Sequence, residues 1–152
     1  MNQDNLEKIK EISEEFFQQI DADAELNIRI VDDKVVSIDL RIEEPQMLIG
    51  SRGLILVEIQ HLLKAMLKKN IEEDFYIDLD INDYKKKKNE YLKQLTEALA
   101  EEVALTGKEK VMPSMPAYER RIVHMILAGR EDVISESVGE EPERKVIIKP
   151  GI

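Results

Sequence analysis

From Leu6 to Ile20, apolar side chains at Leu6, Ile9, Ile12, Phe16, Phe17 and Ile20 recur every three or four positions, the spacing of one buried stripe on a helix. The period then changes to two. Leu26, Ile28 and Ile30 alternate with Asn27 and Arg29. After a turn at Asp32-Asp33, Val36, Ile38, Leu40 and Ile42 alternate with Ser37, Asp39 and Arg41, which predicts a hairpin with one buried face. Pro45 opens a short helical segment over 46–49. Gly50-Ser51-Arg52-Gly53 interrupts it before a longer helix that carries Leu56, Ile59, Leu62, Leu63, Met66 and Leu67. Phe75, Ile77, Leu79 and Ile81 then alternate with Tyr76, Asp78 and Asp80 as a third strand, so the order is α-β-β-α-α-β.

Asn82-Asp83 marks a change of composition and is positioned to cap a helix running to about Leu105, with Tyr84, Tyr91, Leu92, Leu95, Leu99 and Val103 on one side and Gly107 beyond its end. Val111-Met112 reads as a short strand and Ala117 to Leu127 as a second helix, stopped by Gly129. Two β-like runs, 132–138 and 144–149, flank the turn-forming Gly139-Glu140-Glu141-Pro142 and predict a hairpin against the two helices. The pattern is α+β with two domains, 1–81 and 82–152, and no repeat or low-complexity linker separates them.

Charge sharpens that division. The chain has 152 residues and a formal net charge of −10. Residues 1–81 hold 19 acidic and 9 basic side chains, whereas residues 82–152 hold 13 of each, so the excess sits entirely in the first part. An acidic balance of this size argues against a nucleic-acid partner unless basic groups are gathered locally. The absence of cysteine excludes disulfides and thiolate metal sites. No apolar run approaches the roughly 20 residues needed to cross a bilayer, and the N-terminus lacks a signal-peptide pattern, so a cytoplasmic protein without membrane association is expected. Aromatics at 5% and no tryptophan leave little for base stacking, so any RNA groove would be largely aliphatic.

Two motifs carry candidate chemistry. A Gly-x-x-Gly between helices lets the backbone approach a ligand closely, and the helix that starts there offers free N–H groups and the positive end of its dipole to a phosphate. Arg52 adds a cation at that point. The spacing alone equally suits a tight helix-to-helix turn. Farther on, Arg120 and His124 lie four apart on a helix and project from one face as neighbouring donors, between which a phosphate fits. A solvated helix face accounts for such a pair equally well. Lys85-Lys86-Lys87-Lys88 is the one dense basic run, yet four consecutive helical residues cannot all face one ligand.

The setting of the glycine loop within an α-β-β-α-α-β unit resembles the type II KH domain. Leu48-Ile49-Gly50-Ser51-Arg52-Gly53 with Gln60-His61-Leu62-Leu63 looks most like the KH domain of the bacterial Jag family, the KhpB-like RNA-binding proteins. Pro116 to His124, Ser135-Glu136-Ser137-Val138-Gly139 and Arg144-Lys145-Val146-Ile147-Ile148 look like the R-three-H domain, named for its Arg-x-x-x-His motif, with two helices packed on a small sheet. The resemblance runs from about residue 5 to 150.

It implies a non-enzymatic, cofactor-free protein that binds single-stranded RNA, with single-stranded DNA as the variant ligand. The implied role is post-transcriptional regulation linked to cell elongation and division. The contacting residues it implies are Ile49, Gly50, Ser51, Arg52, Gly53, Arg120, Arg121, His124, Arg144 and Lys145, with Leu48, Leu54 and Ile55 as further groove candidates. A separate small KH protein or a second copy of the chain is the expected protein partner. Family members usually carry an N-terminal Jag domain and linker ahead of the KH part, which this sequence is expected to lack. They also commonly place a basic residue at the first loop position, where Ser51 stands. Protonation of His124 is expected to raise RNA affinity below about pH 6.5. The rival reading is a protein-interaction module whose acidic KH half has lost RNA binding. The sequence shows no catalytic motif with defensible spacing.

Overall fold

The computed structural model describes residues 1–151. The chain divides into two compact units, residues 1–85 and 86–152, each with its own apolar core.

The first unit begins with α1 (Gln3–Gln19), three residues earlier than the apolar stripe indicates, because the Asn2 side chain accepts a hydrogen bond from Asn5 N–H at 2.8 Å. Ile9, Phe16 and Phe17 are buried along it, the two phenylalanines meeting edge to face with centroids 5.1 Å apart. Ile20 falls beyond the helix and is exposed. The hairpin consists of β1 (Glu25–Asp32) and β2 (Val35–Arg41), antiparallel, with the register broken between Ile30 and Asp32. Val36, Ile38 and Leu40 of β2 are fully buried, whereas β1 lies at the sheet edge and keeps Ile30 and Val31 exposed. Only the central strand therefore has the fully buried face that the alternation predicts for both.

Next come α2 (Gln46–Ile49), a 3₁₀ turn over Ser51–Gly53, α3 (Leu54–Asn70) and β3 (Tyr76–Ile81). Strand β3 runs parallel to β2, which only a crossover such as α2–α3 can achieve, and the strand order is β1-β2-β3. Leu56, Leu63 and Leu67 of α3 pack on Phe75, Ile77, Leu79 and Ile81. Burying each such side chain contributes about 1.5–3 kcal/mol. At the free edge of β3, Leu79 N–H donates to the Gln60 side-chain Oε1 at 3.0 Å, and the same oxygen accepts from Lys85 Nζ at 2.8 Å.

Helix α4 (Tyr84–Thr106) follows, and the boundary between the units falls within its first turn. Asn82 and Asp83 do not cap it in the way the sequence suggests. Both adopt positive φ; Asn82 instead ties its amide to the N–H and C=O of Ile42, and Asp83 pairs with Arg41 at 2.7 Å. The cap comes from Asp80, whose carboxylate accepts from Lys85 N–H at 2.9 Å. The face that α4 buries in the second unit is Leu92, Thr96, Ala100 and Val103, while Tyr91 is exposed.

Beyond α4 the second unit holds β4 (Lys110–Val111), α5 (Ala117–Leu127), β5 (Val133–Val138) and β6 (Lys145–Pro150), the strands forming an antiparallel sheet ordered β4-β6-β5. β4 lies one residue earlier than expected; Met112 is buried and its N–H bonds to Val146 O at 2.9 Å. Val123 and Leu127 of α5 pack with Val133, Val146 and Ile148. Arg130 fastens the end of α5, gripping Asp132 through Nε and Nη2 and reaching Glu101 on α4 at 2.8 Å. No helix among the described residues is long and apolar enough to cross a membrane.

Candidate nucleic-acid interface

The glycine loop is shaped by backbone that other residues avoid. Gly50 sits at φ 72°, ψ −178°, a region essentially reserved for glycine, and a Cβ there would lie 2.5 Å from Ile55 Cγ1. Gly53, at φ 74°, immediately precedes α3, and a Cβ on it would stand 2.8 Å from Cε1 of the Tyr84 ring. Arg52 between them also adopts the left-handed conformation, at φ 56°. Both glycines are thus required by the loop's own packing. The same packing leaves Ser51 and Arg52 exposed at the start of a 17-residue helix whose first turn holds no acidic side chain. The N–H groups of Gly53 and Leu54 are taken by Gly50 O and Ser51 O, so it is the helix dipole there that favours an anion.

Next to the loop, Leu48 and Ile49 are half-buried against the core, whereas Leu54 and Ile55 are exposed, as is Met47. The groove candidates therefore split, two supporting the loop and two presenting apolar surface. Of the lysine run, Lys85 is committed within the first unit, its Nζ held between Gln60 and Asp78 at 2.8 Å each. Lys86 and Lys87 are exposed, and Lys88 stands 5.5 Å over the Tyr91 ring. Lys64 is likewise placed over an aromatic, 5.1 Å from the Tyr76 ring centroid.

The Arg-x-x-x-His pair departs from the expected geometry. Arg120 is 8% exposed; its Nη1 donates to Met115 O at 2.7 Å and lies 2.9 Å from Glu141 Oε1 in the β5–β6 turn. It is not a solvent-facing donor, because α5 turns this face toward the sheet. His124 is half-buried on the same face, with Nδ1 2.6 Å from Ser135 Oγ and Nε2 2.8 Å from Ser137 Oγ. Burial, assisted by the charge of Arg120, lowers its pKa from the ordinary 6.5, so the ring is neutral at pH 7. One serine then donates to the ring and the other accepts from it.

The other three candidates do not converge on that pair. Arg121 is exposed on a different side of α5. Arg144 donates to Gly139 O at 2.6 Å and Ser137 O at 3.5 Å, holding the turn. Lys145 alternates with the buried Val146 and projects from the sheet face opposite His124. The groups that sequence reasoning missed are Ser135, Ser137 and Glu141, together with Tyr84 beside the glycine loop. The two serines carried a signal, since residues two apart in a strand share a face. Glu141 carried none, because a turn carboxylate looks like any other. No cluster of three or more His, Cys, Asp or Glu side chains suited to a metal occurs among the described residues.

With this geometry in view, comparison with known proteins divides the chain unevenly. Residues 90–150 match the R-three-H domain family. That segment contains α5, Arg120, His124 and the whole second sheet. Over most of its length the chain is also similar to proteins named RNA-binding protein KhpB. The relative from Clostridium symbiosum is 29% identical over 143 residues, which cover 93% of this chain and 64% of the relative. Those from Lactiplantibacillus plantarum and Streptococcus pneumoniae are 32% and 33% identical over 102 and 114 residues, covering 67% and 74% of this chain but 32% and 35% of the relatives. The chain thus spans from about a third to somewhat under two-thirds of the length of these curated relatives.

Proposed function

We propose that this protein binds single-stranded RNA, with a type II KH domain over residues 1–81 and an R-three-H domain over residues 82–152. The observation that carries this reading is the Gly50–Gly53 loop. Two glycines at positive φ hold Ser51 and Arg52 exposed at the start of α3, beside the exposed Leu54 and Ile55. A sugar-phosphate backbone fits such a combination, with phosphate at the helix terminus and bases toward the aliphatic surface. The similarity to proteins named as RNA-binding supports it. Ile49, Gly50 and the buried Gly53 shape the loop, Ser51 and Arg52 contact the strand, and Arg120 with His124 is the second candidate contact, from which Arg121, Arg144 and Lys145 diverge. The protein acts as a non-enzymatic, cytoplasmic post-transcriptional regulator linked to cell elongation and division, and a separate small KH protein is its expected partner.

The rival interaction-module reading has one specific observation in its favour, the pairing of Arg120 with a carboxylate. Anisotropy of a labelled single-stranded RNA pool at two salt concentrations separates the two. Gly53→Asp is a poor probe, since it strains the backbone and meets Tyr84. Ser51 is exposed and free of that problem. Ser51→Lys should tighten binding roughly fivefold, about 1 kcal/mol, and steepen the salt dependence by about 0.7 in log K per log salt. Ser51→Asp should weaken binding. Failure of the wild type to bind at low salt, or indifference to both substitutions, overturns the glycine-loop assignment.

A further inference from the structure

The sheet of the first unit has two edges, and they are treated differently. On the β3 edge the Gln60 side chain takes up Leu79 N–H and is itself held by Lys85. Strand β1 forms the other edge; Glu25, Asn27 and Arg29 are exposed along it, and Ile30 and Val31 are 42% and 62% exposed. An edge of this length displays a row of unpaired backbone groups, a template for another strand.

The β1 sequence limits which strand fits. In an antiparallel ladder, backbone groups of alternate residues point to opposite sides, so when a strand pairs with a copy of itself, partners must be an even number of positions apart. The irregularity after Ile30 confines regular pairing to 25–30. Centring the pair on Arg29 would oppose two arginines. Centring it on Asn27 opposes Glu25 with Arg29 of the second copy and Arg29 with Glu25. Leu26 then faces Ile28, and Asn27 meets its own counterpart on the two-fold axis. Charges are complementary on the outer face, and the half-buried Leu26 and Ile28 extend the apolar face across the junction. Within one molecule Arg29 has only a loose ion pair, 3.7 Å from Asp39, and its side chain is 65% exposed.

We propose that β1 is a homodimerisation edge, joining two copies of this chain through antiparallel β1–β1 pairing centred on Asn27 into a continuous six-stranded sheet. The pairing is isologous, so each copy contributes the same segment and the assembly closes at two. It is independent of whether the glycine loop binds RNA.

Sedimentation equilibrium of the chain over rising concentration tests the proposal. The mass should rise from 17.6 kDa toward twice that value. Glu25→Arg and Arg29→Glu should each raise the dimer dissociation constant about tenfold or more, because two attractive cross-strand pairs become repulsive. Asn27→Asp should weaken it too, by opposing two carboxylates on the axis. Mixing Glu25→Arg with Arg29→Glu should restore association, since each then supplies the charge the other needs, and the double variant should also self-associate. Restoration separates lost pairing from lost folding. A chain that stays monomeric to about 1 mM, or one that dimerises undiminished in both single variants, overturns the proposal.

Discussion

Arg120 and Glu141 show how a motif and its surroundings divide the work. The sequence places Arg120 and His124 one turn apart on α5, and that spacing holds. What it does not carry is the direction of the face, because Ser135, Ser137 and Glu141 come from a hairpin whose position on α5 is decided by packing of Val123 and Leu127. Glu141 pairs with Arg120 at 2.9 Å, where the proposed phosphate contact would otherwise lie. Glu141→Gln should therefore raise RNA affinity several-fold and steepen its salt dependence by about 0.7, the signature of one additional phosphate contact. The stability loss should stay under about 1 kcal/mol, because the carboxylate is more than half exposed and the pair is screened. Unchanged affinity would make Arg120 a scaffold residue. The pH expectation for His124 also changes. Its lowered pKa means the unfolded chain binds the proton more readily than the native one, so native stability is full above about pH 6.5 and falls as pH drops through the lower native value. Thermal unfolding of wild type and His124→Gln from pH 7.5 to 5 should diverge in that direction. Any proton-driven gain in RNA affinity should set in at a lower pH than an ordinary histidine would give, and equal pH slopes for the two proteins would contradict the assignment.

At the level of elements, strongly periodic segments are legible in the sequence. The helices over 54–70 and 117–127, most of that over 3–19 and the strands β2 and β3 follow from periodic or helix-boundary signals, and β5 and β6 from β-like runs on either side of a turn. Junctions are less so. Asn82-Asp83 looks like a helix cap, yet the helix is capped from the preceding strand by Asp80, since the tight β3–α4 turn at positive φ brings that carboxylate under Lys85 N–H. The glycine loop is legible as a motif, but the ring pressing on it is not, because Tyr84 lies 31 residues along the chain. Gly53→Ala should cost about 1–2 kcal/mol from the left-handed conformation alone, and more where the added methyl meets Tyr84. In denaturant titrations, Tyr84→Ala should relieve only the second part. If the two substitutions prove strictly additive, the Tyr84 contact does not constrain the loop.

For the whole molecule, charge is the property that sequence conveys best, being independent of packing. The excess of ten negative charges in residues 1–81 lies in the same unit as the loop proposed to receive a polyanion. Contact and long-range field therefore oppose each other, and they differ in reach. The contact acts at hydrogen-bond distance, whereas the field extends about 30 Å at 0.01 M salt and about 8 Å at 0.15 M. Association should thus be slowed at low salt by charges that never touch the ligand. Glu11, Glu14 and Glu15 are exposed on α1, and replacing all three by glutamine takes the first 81 residues from −10 to −7. Stopped-flow binding of single-stranded RNA should then show a rate constant raised roughly threefold at 0.01 M salt, with the gain fading at 0.15 M and the dissociation rate unchanged. A gain that persists at high salt, or one that appears in dissociation, would place these carboxylates in contact with the strand. An RNA interface would then extend onto α1, and the glycine loop alone would no longer define it.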